Sequence, residues 1–138
     1  MTITEGSGSS VPGHAYYDTD SVYWLSRIIS AESRGEPLLG QIAVGNVVLN
    51  RVNSGQFPNT VKEVVFDRKY GVQFEPVSNG TIYDRPTDSA VLAAKLCLEG
   101  AAPVGDSLYF YAPALSAGTW ISTSRAYYTT IGCHKFYG

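Results

Sequence analysis

Glu32 lies three residues after Ile29, four after Ile28 and seven after Leu25. In a helix that spacing turns its carboxyl group onto the same face as three aliphatic side chains, the face that must be buried. Burial opposes ionisation because it strips water from the charged form, and the partial negative charge at a helix C-terminus opposes it further. A carboxylic acid kept protonated near neutral pH can give its proton to a leaving-group oxygen, the task of a general acid. The alternative is a structural carboxylate, paired with Arg34 or Arg51 or left at a solvated helix end. The other acidic residues sit where acids serve structure. Glu36 adjoins Pro37, Glu63 has the position of a capping residue, and Asp67, Glu75, Asp84, Asp88 and Asp106 fall in or near turns and helix starts.

The remaining chemistry-bearing residues are sparse. His14 and His134 are the two histidines, whereas a catalytic zinc site takes three protein ligands and keeps an open position. His14 lies within the polar N-terminal stretch, so neither a metal site nor a cofactor is expected. Cys133 is the immediate neighbour of His134, and adjacent side chains of an extended segment point to opposite faces, which argues against a Cys–His nucleophile. Cys97 reads as core, and the two cysteines are compatible with one disulfide or with two thiols. Eight aromatic residues, about half of the chain's Phe, Tyr and Trp, follow Asp106 in under a quarter of its length. They line either a cleft or an aromatic core.

The elements that must position these residues follow from periodicity and punctuation. A first helix spans about 18–34, with Asp18 or Asp20 as its cap and Val22, Leu25, Ile28 and Ile29 in register. A second starts at Pro37, carries Ile42, Val47, Val48, Leu49 and Val52, and stops near Gly55. Thr60-Val61-Lys62-Glu63 has the form of a capping box opening a brief third helix through about Phe66. From Tyr70 to Tyr83 strand-like residues flank Ser78-Asn79-Gly80, which predicts a small β-hairpin or bulged loop. Thr87 caps a helix over about 88–99 whose Val91, Ala94, Cys97 and Leu98 share a face and whose end is marked by Gly100. Leu108–Tyr111 and the closing stretch from Ile131 to Tyr137 read as strands or extended loops around a Pro/Gly/Ser/Thr-rich connection.

With 138 residues, 44% of them hydrophobic and 16% charged, the chain suits one ordered globular domain over 18–138. Residues 1–17 read as a flexible leader without the cationic start and apolar stretch of a signal peptide. No apolar run approaches the roughly 20 residues of a membrane span. A net charge of −2 without a basic stripe argues against nucleic acid as a partner.

The stretch Arg27-Ile28-Ile29-Ser30-Ala31-Glu32-Ser33-Arg34-Gly35-Glu36-Pro37, followed by Gly40-Gln41-Ile42-Ala43-Val44 and Leu49-Asn50-Arg51-Val52, resembles the opening of the SleB/CwlJ-type cell-wall hydrolase domain. Phe57-Pro58-Asn59-Thr60-Val61, Gln73-Phe74-Glu75-Pro76-Val77, Leu108-Tyr109-Phe110-Tyr111 and Ile131-Gly132-Cys133-His134-Lys135-Phe136-Tyr137 follow the family's later segments in order. The resemblance covers nearly the whole chain from about Ser21. It implies an α+β fold, a compact and mainly helical lysozyme/lytic-transglycosylase-like domain with a small β element. It also implies a peptidoglycan or spore-cortex lytic enzyme, with the family's catalytic glutamate falling on Glu32.

By the same analogy Gln73, Phe74, Tyr109, Tyr111, His134 and Phe136 surround the cleft, and sugar rings would pack on a wall that includes Tyr109, Tyr111 and Tyr137. Ala112 and Cys133 stand where the family often has Asn. The favoured chemistry is cleavage of the β-1,4 link between N-acetylmuramic acid and N-acetylglucosamine as a lytic transglycosylase, which needs one carboxylate. Ordinary hydrolysis needs a second, for which Asp67, Glu75 and Asp106 are the residues to test. An amidase acting at the muramoyl–alanine bond and a non-catalytic glycan-binding module are the rival readings. The expected partners are peptidoglycan glycan strands, with room for an upstream peptidoglycan-binding domain or a partner protein outside this chain. Action at the cell wall or spore cortex requires export, and hence a targeting segment that this chain does not show.

Overall fold

The computed structural model describes residues 18–69, 71–113 and 119–138; the leader expected over 1–17 lies outside them. Helix α1 (Thr19–Ser33) starts at Asp18, whose carboxylate accepts from the Ser21 amide at 2.7 Å. It occupies one of the four amides that a helix N-terminus leaves open. Helix α2 (Leu38–Val52) begins directly after Pro37, and Gly35 makes the short join with φ +83°, a left-handed conformation that glycine adopts at no steric cost. Helix α3 (Val61–Val65) is capped by Thr60 as its sequence predicts, with the hydroxyl accepting from the Glu63 amide at 3.1 Å. Helix α5 (Asp88–Leu98) is capped by Thr87, which accepts from the Ala90 amide at 3.1 Å.

The core is the seam between α1, α2 and α5. Leu25, Ile28 and Ile29 meet Val44, Val47 and Val48, and α5 contributes Ala90, Ala93, Ala94, Cys97 and Leu98. Ala90 and Ala93 thus replace Val91, which is half-buried, on the expected apolar face. Gly45 sets how closely the three helices approach: a Cβ there would stand 2.7 Å from the Cys97 sulfur and 2.8 Å from Ile29 Cδ1. Gly45→Ala gains up to about 1 kcal/mol of helix propensity but overpacks the seam at about 1–3 kcal/mol. A net loss of stability is therefore expected in urea or thermal unfolding, and a more stable variant would contradict this account of the seam.

A second face of α2 is polar yet buried. Asn46 accepts from the Val104 amide at 2.9 Å, Asn50 donates to the carbonyls of Gly105 (2.9 Å) and Ser107 (2.8 Å), and Arg51 Nε donates to that of Leu108 at 2.8 Å. These bonds pin residues 104–108 along the helix and fix where β1 (Tyr109–Tyr111) begins. The sheet has the order β1-β3-β2, antiparallel throughout, with β2 at Tyr127–Ile131 and β3 at His134–Tyr137. Phe110 faces Phe136 in register, and a bulge separates Tyr127 from Thr129. The β2–β3 turn is tied back to the α1–α2 join, because the Glu36 carboxylate accepts from the Cys133 amide at 2.9 Å.

The architecture is α+β, mainly helical with a small three-stranded sheet. One local expectation fails. The stretch predicted as a β-hairpin around Ser78-Asn79-Gly80 is helix α4 (Glu75–Asn79) followed by a 3-10 turn at Thr81–Tyr83. Pro76 sits in the first turn of α4, where a missing amide costs nothing, and Gly80 at φ +86° closes its C-terminus. The Asn-Gly pair is therefore a helix stop and not a hairpin turn, with Asn79 accepting from the Thr81 amide at 2.9 Å. Within the connection after β1 the chain forms helix α6 (Thr119–Ser124). Cys97 and Cys133 are both free thiols, the first buried and the second exposed, so the disulfide alternative is not realised. No helix of the described residues is long and apolar enough to cross a membrane.

Candidate active site

The end of α1, the end of α2 with the loop after it, Asp67, Lys69, residues 72–75, β1 and the first residue of β3 surround an open cavity of about 1160 Å³. Glu32 lies in its wall. The aliphatic residues that precede it at helical spacing, Leu25, Ile28 and Ile29, are fully buried, so the carboxyl stands where the buried stripe opens into the cavity. Burial pushes the Glu32 carboxyl up to about 7, the negative charge of Glu75 across the cavity pushes the same way, and Arg51 opposes both. At neutral pH Glu32 is divided between the acid and its carboxylate, which suits a group that must first give and then recover a proton.

Arg51 is only 5% exposed. Its guanidinium lies among three rings, those of Phe57, Tyr109 and Phe74, with centroids at 4.9, 5.2 and 5.3 Å, and Nε is bound to the Leu108 carbonyl as described above. Desolvation lowers it to about 10, against the pull of Tyr109, Asp67 and Glu32. At neutral pH it remains a cation. Asp67 and Glu75 share the cavity with Glu32, whereas Asp106 does not line it.

Gln73, Phe74, Tyr109, Tyr111 and His134 all line the cavity. Phe136 and Tyr137, expected beside them, do not. The alternation of β3 turns Phe136 into the core with no exposed surface, where it packs on Phe110 at 6.0 Å. Tyr137, 4% exposed, stacks on Tyr111 at 5.9 Å and supports it from behind. The C-terminal aromatics thus divide between a cavity wall and its backing. His134 is buried edge-on to Phe110 at 5.4 Å, and burial lowers its pKa although Glu36 counteracts this.

Arg51, Phe57, Lys69 and Arg125 belong to the same wall and were not singled out as site residues from sequence. Arg125 donates to the Tyr109 hydroxyl at 3.0 Å and lies over its ring. For Arg51 a signal did exist: it follows Val44, Val47 and Val48 by seven, four and three residues, the spacing that marks Glu32. Among the described residues no three His, Cys, Asp or Glu side chains are grouped so as to hold a metal ion.

Residues 35–137 match the family model described as Cell Wall Hydrolase. The match begins just beyond α1. A spore cortex-lytic enzyme of Bacillus cereus is 38% identical over 132 residues, 96% of this chain and 49% of that protein. One from Bacillus subtilis is 34% identical over 93% of this chain and 40% of its own length. The chain thus spans about half the length of the curated relatives it matches. The structure of the catalytic domain of the germination-specific lytic transglycosylase SleB from Bacillus anthracis superposes with a TM-score of 0.80 at 38% identity, covering 93% of this chain and all of that one. The SleB catalytic domain from Bacillus cereus gives a TM-score of 0.79 at 36% identity over 97% of this chain and all of that one.

Proposed function

The chain belongs to the cell wall hydrolase family, and from that premise we propose that it cleaves the N-acetylmuramic acid–β-1,4–N-acetylglucosamine bond of spore-cortex peptidoglycan as a lytic transglycosylase. The observation that carries this reading is Glu32, a carboxyl with its pKa raised to about 7 in the wall of an open cavity. Protonated Glu32 gives its proton to the glycosidic oxygen as the bond from the anomeric carbon to that oxygen breaks. The muramic C6 hydroxyl then bonds to the anomeric carbon, and its proton returns to the Glu32 carboxylate, leaving a 1,6-anhydro end. One carboxylate completes the cycle. The cavity wall serves a polymer: Tyr109 and Tyr111 present ring surface to sugar C–H faces, Phe74, 3% exposed, backs the wall, and Gln73 offers an amide to hydroxyl or acetamido groups.

A second reading has support of its own, since Glu75 and Asp67 line the same cavity and either could activate a water for ordinary hydrolysis. Mass spectrometry of muropeptides released from purified cortex separates the two. Anhydro-muramic ends are expected; reducing muramic ends would transfer the role to the Glu32–Glu75 or Glu32–Asp67 pair, and free stem peptides would mean an amidase. Cleavage is also expected to survive exhaustive EDTA treatment, because the described residues supply no three-ligand metal site. Inactivation by chelator and rescue by zinc would reverse that. The setting proposed is the cell wall or spore cortex, reached by export. The greater length of the relatives leaves room there for an upstream peptidoglycan-binding domain or a partner protein.

A further inference from the structure

We propose that Arg51 is the positioning residue of the acid step, a fixed cation that stabilises the carboxylate Glu32 becomes as its proton leaves. The inference rests on Glu32 being the general acid. Two helices of equal length each end with a charged residue in their penultimate place, at the i+7 position of a buried i, i+3, i+4 stripe. One charge is an acid and the other a base, and both face one cavity. Chance placement of an arginine there is costly, because taking a guanidinium out of water costs several kcal/mol unless something recovers it.

Only part of that recovery is visible in the resting protein, in one hydrogen bond, the ring contacts and the charge of Asp67. Nε is satisfied by Leu108, three ring faces hold the plane of the group, and Nη1 is buried without a hydrogen-bond partner. The geometry is that of a donor group immobilised before the charge it serves exists, which is how preorganised electrostatics lowers a barrier without reorganisation at the moment of reaction. A neutral Glu32 gains little from a nearby cation and an ionised one gains much, so the interaction is stronger in the transition state than in the ground state.

The charges that act on the pair come from every side of the cavity. Glu75 of α4 faces Glu32 and opposes its ionisation; Asp67, after α3, and Tyr109 of β1 face Arg51. His134 of β3, Lys69 and Arg125 share the wall. Arg51 therefore acts on Glu32 against Glu75, and its removal has two consequences of opposite direction. The carboxyl stays protonated to higher pH, yet the proton leaves it more slowly.

The test is the pH profile of muropeptide release from purified cortex for the wild type, Arg51→Met and Arg51→Lys. Arg51→Met is expected to lower the plateau by about 10–100-fold and to move the basic limb up by about one pH unit. Arg51→Lys, which keeps the charge, should restore most of the plateau and return the limb. A methionine variant whose limb is unmoved or moves down, or whose plateau stays within threefold of wild type, overturns the proposal. If Arg51→Met does not fold, the guanidinium N–H resonances decide in the wild type: they should titrate near pH 7 and cease to do so in Glu32→Gln, and their failure to titrate overturns it. An active Glu32→Gln would instead remove the general acid itself, a distinct outcome from either.

Discussion

Glu32→Gln is expected to lose at least about 10²–10⁴-fold in the rate of glycan cleavage, the contribution usually made by general acid catalysis. The amide keeps the size and planarity of the carboxyl group but has no proton to give to the glycosidic oxygen. Because Phe74, Tyr109, Tyr111 and Gln73 are untouched, binding of long glycan strands should remain near the wild-type level while turnover disappears. Muropeptide release and strand pelleting, measured on the same preparation, report the two quantities separately. Near wild-type cleavage would transfer the acid role to Glu75 or Asp67. Loss of binding together with turnover would mean that Glu32 holds the sugar and does not protonate it.

Glu32 was legible as the candidate acid because a carboxylate in a buried stripe is an exception to a strong rule, and exceptions to burial carry information. Arg51 obeys the same exception at the same spacing, but a cation at the end of a helix also complements the helix dipole, and that ordinary explanation hides the unusual one. The helices were readable from their caps, Asp18, Thr60 and Thr87, since each capping side chain bonds a neighbour in the sequence.

What was not readable depends on distant partners. Glu75–Gly80 contains β-branched and aromatic neighbours on both sides, yet Pro76 and Gly80 obey local helix rules that outweigh the strand propensity around them. Tyr137 shares the face of Tyr111 and is buried behind it, while the division of Tyr111 from Phe136 is set by which face of the sheet meets the core. That face is fixed by α2 through Asn46, Asn50 and Arg51 binding residues 104–108, and nothing in the local pattern of Leu108–Tyr111 announces it.

The proposed acid should also weaken the fold. The folded-state pKa of Glu32, about 7, lies above its ordinary value of 4.5. Between those values the folded protein binds more protons than the unfolded chain, so stability falls as pH rises and stays lower above 7. The shift corresponds to about 3 kcal/mol at most, and the partial exposure of the group brings the expected contribution to about 1–2 kcal/mol. Glutamine carries no charge at any pH and escapes this cost. Glu32→Gln should therefore melt about 3–6 °C above the wild type at pH 8, and the gap should close as the pH falls below about 4, where the wild-type carboxyl is protonated in both states. Paired melting curves from about pH 3.5 to 9 measure this directly. A gap that does not change with pH would mean that Glu32 ionises as easily in the folded protein as in the unfolded chain, and the raised acid on which the mechanism depends would be lost. A gap that opens with the predicted sign, in a variant that no longer cleaves, would mean that the same desolvation both destabilises the protein and keeps the proton on Glu32 for the reaction.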